Sequence, residues 1–592
     1  MPLKKGLKAK TTTMIKTNFP DRSFSIPGVP EHLLEYITEQ DPSLYTPEDH
    51  AAWRFIMAAS KKFFKNHAHP LYWKGIESTG ISTDRIPLIS EMDEALKKMG
   101  WRAVAINGFI PPSIFLELQS LRILAIACDM RKIDNLGYTP SPDIVHEAAG
   151  HAPIVCDPKY REYLEAYGKI ARNAIISKQD LDLYDAIFNL SEIKENPKSS
   201  EKEIEVAQRK FEEVASQITE PSEAALLARM AWWTTEYGLV EVDGKNLIYG
   251  AGLLSSVTES HHCIHPHVKK IPFQLNTAIQ TSYDITKPQP QLFVAKDFES
   301  LTMALEEFAN KMSFRRGGEY GMTTAKKAEA TVTVEYDHGL QVTGIVTDFK
   351  VNQNHQVISY TLSGSKQFSQ NETALEQFDD ALLGSEIYFP LFPADISKLS
   401  TQELILNIGK KGILTLSGEM LTGEFKKDLK VGATGRVIIL ENVKITSADG
   451  KVVYSETSKP YPLILGSKIS SVFGGAADRK EFSLRSSNRT KKVKSHKTNA
   501  TDANRSVNEL YRQIRQYREN NEHQPERLEF FLKEVLSQFK NEWLASFEVL
   551  ELISNETPLH PGKEILFENL KRIALEMPKS KDQIQIALEL IT

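Results

Sequence analysis

Cysteine is nearly absent: Cys128, Cys156 and Cys263 are the only three in 592 residues, and no two lie close together. That spacing excludes a disulfide framework and a cysteine-built zinc finger, and it suits a reducing compartment. Long apolar runs are missing too. The nearest, "LRILAIACDM", falls well short of the roughly 20 apolar residues that span a bilayer. The opening "MPLKKGLKAKTTTMIKTNFPDRS" has basic residues but no apolar core of a secretory signal, so a soluble, cytoplasmic protein without a membrane partner is expected. Neither sign of charge is in excess. With 72 basic and 77 acidic side chains the net charge is −5, which excludes the strong positive field of a nucleic-acid wrapper.

What is present is ordinary globular composition, 41% hydrophobic and 25% charged, in a chain too long for one core. Residues 1–30 read as a tail. From 31 to 330 the periodicity is mainly helical: "DHAAWRFIMAASKKFFKNHA", "SIFLELQSLRILAIACDM", "PKYREYLEAYGKIARNAII" and "PSEAALLARMAWWTTEYGLV" each carry apolar residues at helical spacing. The polar "SEIKENPKSSEKEIEVAQRKFEEVASQI" predicts an exposed loop and a surface helix. Residues 331–477 alternate with a period of two, broken at Asp337-His338-Gly339 by a hairpin signal, and predict a small β-rich domain. A basic polar linker, 478–504, follows. Helix returns over 505–592, with Ser506 and Glu509 in a capping-box pattern and an apolar stripe of Leu528, Phe531, Val535, Phe539 and Trp543. This segment is expected to cover the β domain or a second subunit, with a homodimer through the C-terminal region as one outcome.

The chemistry concentrates in "GYTPSPDIVHEAAGHAP", from Gly137 to Pro153. His146 and His151 stand five apart, one more than the His-Glu-x-x-His zinc-peptidase string. On an ideal helix that spacing is about 140° of rotation and roughly 7.5 Å of rise, which weakens a peptidase reading. Gly150 reopens the case for a metal, because a helix ending there could bring the second imidazole round. A hydrogen-bonded core histidine pair is the plain alternative. Glu236, set among apolar and aromatic neighbours in "MAWWTTEYGL", is the best third ligand, since a carboxylate there needs a cation or strong donors. Two histidines and one carboxylate with open positions make a non-haem Fe(II) site. A Glu236 that reaches the surface is the competing reading. A second cluster, "ESHHCIHPH" with His261, His262, Cys263, His265 and His267, could hold zinc but lacks a distant second half.

The ordered strings "YTPSPDIVHEAAGHAP", "WWTTEYGL", "YGAGLLSS", "NTAIQTSYDIT" and "PQPQLFVAKDFE" closely resemble the aromatic amino acid hydroxylases. These are iron- and tetrahydropterin-dependent monooxygenases. The resemblance covers about residues 30 to 325. It implies a mainly α catalytic domain of that family's type, followed here by the β-rich domain and the helical segment. It implies Fe(II) held by His146, His151 and Glu236, and Glu147 approaching the pterin. The tetrahydropterin is expected on Phe115, with Gly108, Ile110 and Pro112 lining its edge. The amino acid carboxylate is expected on Arg131, with Tyr138, Thr139 and Ser255 beside it, and Pro140, Trp232 and Ile285 as pocket walls. Bulk at Trp232 and Ile285 favours L-phenylalanine converted to L-tyrosine with dioxygen. Tryptophan or tyrosine hydroxylation by the same mechanism stays open, as does a catalytically retired domain serving as a scaffold. The run between His151 and Glu236 is longer than the family's, so 175–220 reads as an insertion. The family's animal members carry a regulatory domain and a short tetramerising arm, and neither pattern is found here.

Overall fold

His146 and His151 lie in a helical body built on a long helix, Pro47–His67, in a computed structural model of the chain. Residues 26–591 are described, apart from 109, 138–141, 196–198, 286, 377, 379–383, 433–434, 487–501 and 521–523. Thr46 and Asp49 form a reciprocal capping box at the start of that helix, with Pro47 at its first turn. Its buried side, Ala52, Trp53, Phe55, Ile56 and Phe64, anchors the main core.

Two small sheets flank this core. The first is ordered Ile37–Thr38, Arg102–Ile106, Ile123–Ala127, and its second pair is parallel. Here the sequence reading is corrected: "SIFLELQSLRILAIACDM" is not one helix. It forms a helix over Pro112–Ser120 and then the strand Ile123–Ala127, all five residues of which are buried. A strand covered on both faces reads as a continuous apolar run, which periodicity does not distinguish from a buried helix. The second sheet runs Lys245–Ile248, Leu239–Val242, Gln291–Ala295, Lys269–Pro272. The expected insertion holds two helices packed on each other, Lys178–Glu195 and Glu201–Ser216.

The β-rich part is two antiparallel sheets around one apolar core, from Thr331–Tyr336 to Ile469–Gly474. The hairpin sits where expected, between Thr331–Tyr336 and Leu340–Val351. It joins the helical body through Gly474 N–H to the Asn173 carbonyl and through Arg172 to Glu372 at 2.8 Å. The start of the expected linker is a helix, Arg479–Ser486, and Arg479 pairs with buried Glu117 on the Pro112–Ser120 helix at 3.2 Å.

The C-terminal segment differs from expectation in three ways. Ser506 lies inside the helix Asp502–Glu519, four residues past its first residue. The apolar stripe is divided between two helices, Pro525–Ser537 and Trp543–Glu556, with Phe539 in the break. The bundle lies against the helical body and not on the β domain. Its helices pack on Pro47–His67 and share the main core, with Phe55 edge-on to Trp543 at 5.1 Å and to Phe547 at 5.4 Å. Aromatic burial against a ready apolar helix outweighs a separate mini-core. Among the described residues no helix is long and apolar enough to cross a membrane.

Candidate metal centre

Both ligand-bearing segments are π-helical turns: Val145–His151 and Trp232–Glu236. In the first, the Ala152 N–H donates to the Glu147 carbonyl five residues back, and in the second Tyr237 donates to Trp232 likewise. The wider turn brings positions five apart onto one face, which accounts for the His146–His151 spacing and leaves no need for the helix to end at Gly150. Gly150 serves a different purpose. A Cβ there would lie 2.7 Å from the Ala251 carbonyl oxygen, so its small size lets the histidine turn rest against the Ala251–Leu254 helix. In the second turn the Thr234 and Thr235 hydroxyls donate to carbonyls four residues back, contacts that bend helices.

The two turns converge. His146 Nε2 lies 3.1 Å from His151 Nε2, and Glu236 places one oxygen 3.3 Å from the first and the other 3.2 Å from the second. Three ligand atoms about 2.1 Å from one ion stand about this far apart, so the set fits a divalent cation. Burial pushes the Glu236 carboxyl up, but the two imidazoles outweigh it and hold it well below the ordinary range. Among the described residues this is the one group of three such side chains whose ligand atoms converge.

Behind the ligands sits a buried polar frame. Ser255 Oγ donates to the Ala251 carbonyl at 2.7 Å and lies 3.1 Å from His146 Nδ1. The hydroxyl is thereby an acceptor for Nδ1–H, which leaves the Nε2 lone pair facing the centre. Arg131, with a side chain only 1% exposed, spends its fork on Asp143 through two bonds of 2.7 Å, and its Nη1 donates to the Ser255 carbonyl at 2.9 Å. Asp143 also accepts the His146 N–H at 3.0 Å. Burial raises the Asp143 carboxyl, but Arg131 prevails and keeps it ionised. Glu147 is the opposite case: burial, only partly offset by His151 and reinforced by Glu236 and Asp143, pushes it up to about 8.

Trp232 stacks on Tyr237, five positions on, at 4.6 Å and on Tyr283 at 4.2 Å and 8°. Its indole N–H donates to Gln289 at 3.3 Å. Ile285, two residues after Tyr283 in the chain, is half-buried. Gly108 donates its N–H to Asp129 at 3.1 Å, Ile110 is buried, Pro112 begins the next helix, and Phe115 is half-buried against the first sheet's core. Tyr138, Thr139 and Pro140 lie outside the described residues. In the rival histidine cluster His261 stacks on Phe63 at 4.0 Å, and the rings of His262, His265 and His267 stand 5.0–6.4 Å apart. Sequence reasoning passed over Asp143, Tyr237, Tyr283 and Gln289. Only Asp143 gave a signal, an acid three residues before the first ligand histidine.

The residues of this centre fall within the part of the chain that resembles known proteins. Residues 35–180 and 208–344 match the family described as biopterin-dependent aromatic amino acid hydroxylase, and the gap falls within the helical insertion. The phenylalanine-4-hydroxylase of Mesorhizobium japonicum is 28% identical over 265 residues, covering 44% of this chain and 80% of that protein. The enzyme of the same name from Chromobacterium violaceum is 27% identical over 276 residues, covering 46% and 78%. A crystal structure of the Chromobacterium violaceum enzyme, with iron(III) and 7,8-dihydrobiopterin, covers 47% of this chain and 86% of its own at 26% identity and a TM-score of 0.38.

Proposed function

We propose, for a chain whose residues 35–180 and 208–344 belong to the biopterin-dependent aromatic amino acid hydroxylase family, that it converts L-phenylalanine to L-tyrosine with dioxygen and a tetrahydropterin at a non-haem Fe(II) centre. The observation that carries this is the meeting of two imidazole nitrogens and one carboxylate within 3.1–3.3 Å, with the His146 tautomer set from behind. Bound there, iron and reduced pterin supply the activation of dioxygen. The chain's own share is placement. His146, His151 and Glu236 would hold the metal. Ser255 and Asp143 keep His146 turned to it. Arg131, locked by Asp143, offers its remaining N–H groups to the substrate carboxylate, where Tyr138 and Thr139 would add hydrogen bonds and Pro140 would shape the wall. Trp232 and Ile285 limit the ring pocket. Gly108, Ile110, Pro112 and Phe115 form the pterin's bed, and Glu147, buried beside His146, faces the pterin's side of the site.

The test is product analysis with Fe(II), a tetrahydropterin and each aromatic amino acid in turn. Tyrosine formed from phenylalanine is the expected result. Preference for tryptophan or tyrosine overturns the substrate, and a protein that takes up no iron from iron-rich medium overturns the chemistry in favour of a retired domain.

A further inference from the structure

The family match ends at residue 344, yet the last helix of the chain, Lys581–Ile591, reaches the frame behind the metal. Gln583 on that helix is buried. Its amide nitrogen, in the orientation that satisfies it, donates to the Ser580 and Lys579 carbonyls at 3.2 Å each. The side chain is thus folded back on its own helix start, and the far edge of its amide rests on Gly137. A Cβ built at Gly137 would lie 2.6 Å from the Gln583 amide and 2.6 Å from Thr258 Oγ1. Gly137 is not among the residues of positive φ, so no left-handed backbone demands a glycine there. It is glycine because two side chains close on it.

From Gly137 the contacts run inward. Its carbonyl accepts the Ser256 hydroxyl at 2.6 Å. The adjoining Ser255 holds Arg131 by its carbonyl at 2.9 Å and His146 by its hydroxyl at 3.1 Å. The same Ser256 oxygen caps the Val257–Cys263 helix through Glu259 N–H at 3.1 Å, and that helix packs on both Lys581–Ile591 and Pro47–His67. One short turn, Ser255-Ser256, therefore carries a metal ligand, the buried arginine and the appended bundle.

We propose that Gln583 is a positioning residue, through which the C-terminal helices brace the Gly137 and Ser255-Ser256 turns and so fix Arg131 for the amino acid substrate. The inference rests on the hydroxylase reading for that substrate and for the place of Arg131 against it. The contact is with backbone and a turn, not with substrate, so its loss loosens binding of the amino acid and leaves pterin binding alone.

The experiment uses the full chain as wild type, Gln583→Ala, Gly137→Ala and the double variant. Two readouts are taken: steady-state kinetics with L-phenylalanine, Fe(II) and a tetrahydropterin, and hydrogen exchange of the metal-free protein over 128–137 and 255–263. Gln583→Ala is expected to raise the phenylalanine KM about fivefold to tenfold, with kcat and the pterin KM within about twofold, and to speed exchange in both segments. Gly137→Ala is expected to raise KM more, and part of that rise should vanish in the double variant, because one clashing partner is gone. Unchanged exchange and unchanged KM in Gln583→Ala overturn the brace, as does strict multiplicativity of the two substitutions. A wild type without turnover on any aromatic amino acid overturns the hydroxylase reading instead, and the exchange arm still decides the brace by itself.

Discussion

Ser255 and Arg131 are the residues at which substitution separates holding a metal from holding a fold. Ser255→Ala removes the acceptor for His146 Nδ1–H but leaves all three ligands in place. Iron affinity should fall about 10- to 100-fold, measured by titration, whereas His146→Ala, His151→Ala or Glu236→Ala should abolish stoichiometric metal. His265→Ala should change neither iron content nor rate. Arg131→Ala behaves differently from what a substrate anchor alone would show. It strips buried Asp143 of its partner, and breaking a buried pair costs about 3–5 kcal/mol, so denaturant unfolding should shift as well as substrate KM. Asp143→Ala added to it should cost less than the two singles combined. On the proposed pocket wall, Trp232→Phe should move the kcat/KM ratio toward tryptophan by about tenfold, since space vacated beside Tyr283 is worth only a few methylenes. Assaying both amino acids on both proteins checks it.

At the scale of elements, the His146–His151 turn shows what a sequence can and cannot disclose. Residue types and order singled out His146, His151 and Glu236 as candidates, since a carboxylate in an apolar helix and a histidine pair beside glycine each need a physical reason, and the family resemblance made them a ligand set. The means of meeting was not legible. A π-turn leaves no periodicity of its own, and what Gly150 makes room for, the Ala251 carbonyl, lies a hundred residues away. Gly150→Ala should therefore lower iron affinity and distort the turn without unfolding the domain. Iron-binding stoichiometry set against an unchanged far-ultraviolet circular dichroism spectrum would show it. The strand Ile123–Ala127 failed for a related reason, since burial on both faces erases alternation. The Asp337–Gly339 hairpin, local in both pattern and structure, was read correctly. The Asp143 clamp, signalled only by an acid three residues before His146, and the Tyr237–Trp232–Tyr283 stack, not signalled at all, depend on tertiary approach.

At the scale of the whole molecule, the C-terminal bundle and the family-like body share one core, and their seam is electrostatic as well as apolar. Glu548, with a side chain 3% exposed, receives Arg54 from the body and Arg518 from the bundle, each at 3.1 Å, while Glu551 takes the same two arginines at 2.7 and 2.8 Å. Burial raises the Glu548 carboxyl, but the two guanidinium groups overcome it and hold the carboxyl below its ordinary value. For a group depressed in the folded state, the linked stability is fully present above the unfolded pKa, about 4.3, and is lost as pH falls through that value toward the folded one. The seam should therefore be constant in strength from neutral pH down to about pH 5 and weaken below it. Arg54→Ala leaves Glu548 facing one arginine and should cost about 3 kcal/mol at pH 7. Glu548→Gln should flatten the acid limb, since the titrating group is gone. Hydrogen exchange of 543–556 against pH distinguishes this from general acid unfolding. Protection there should fall before that of the Thr331–Tyr336 strand, and in Glu548→Gln the two should become less separated. Simultaneous loss in the wild type would show that the arginine pair does not set the seam's acid limit.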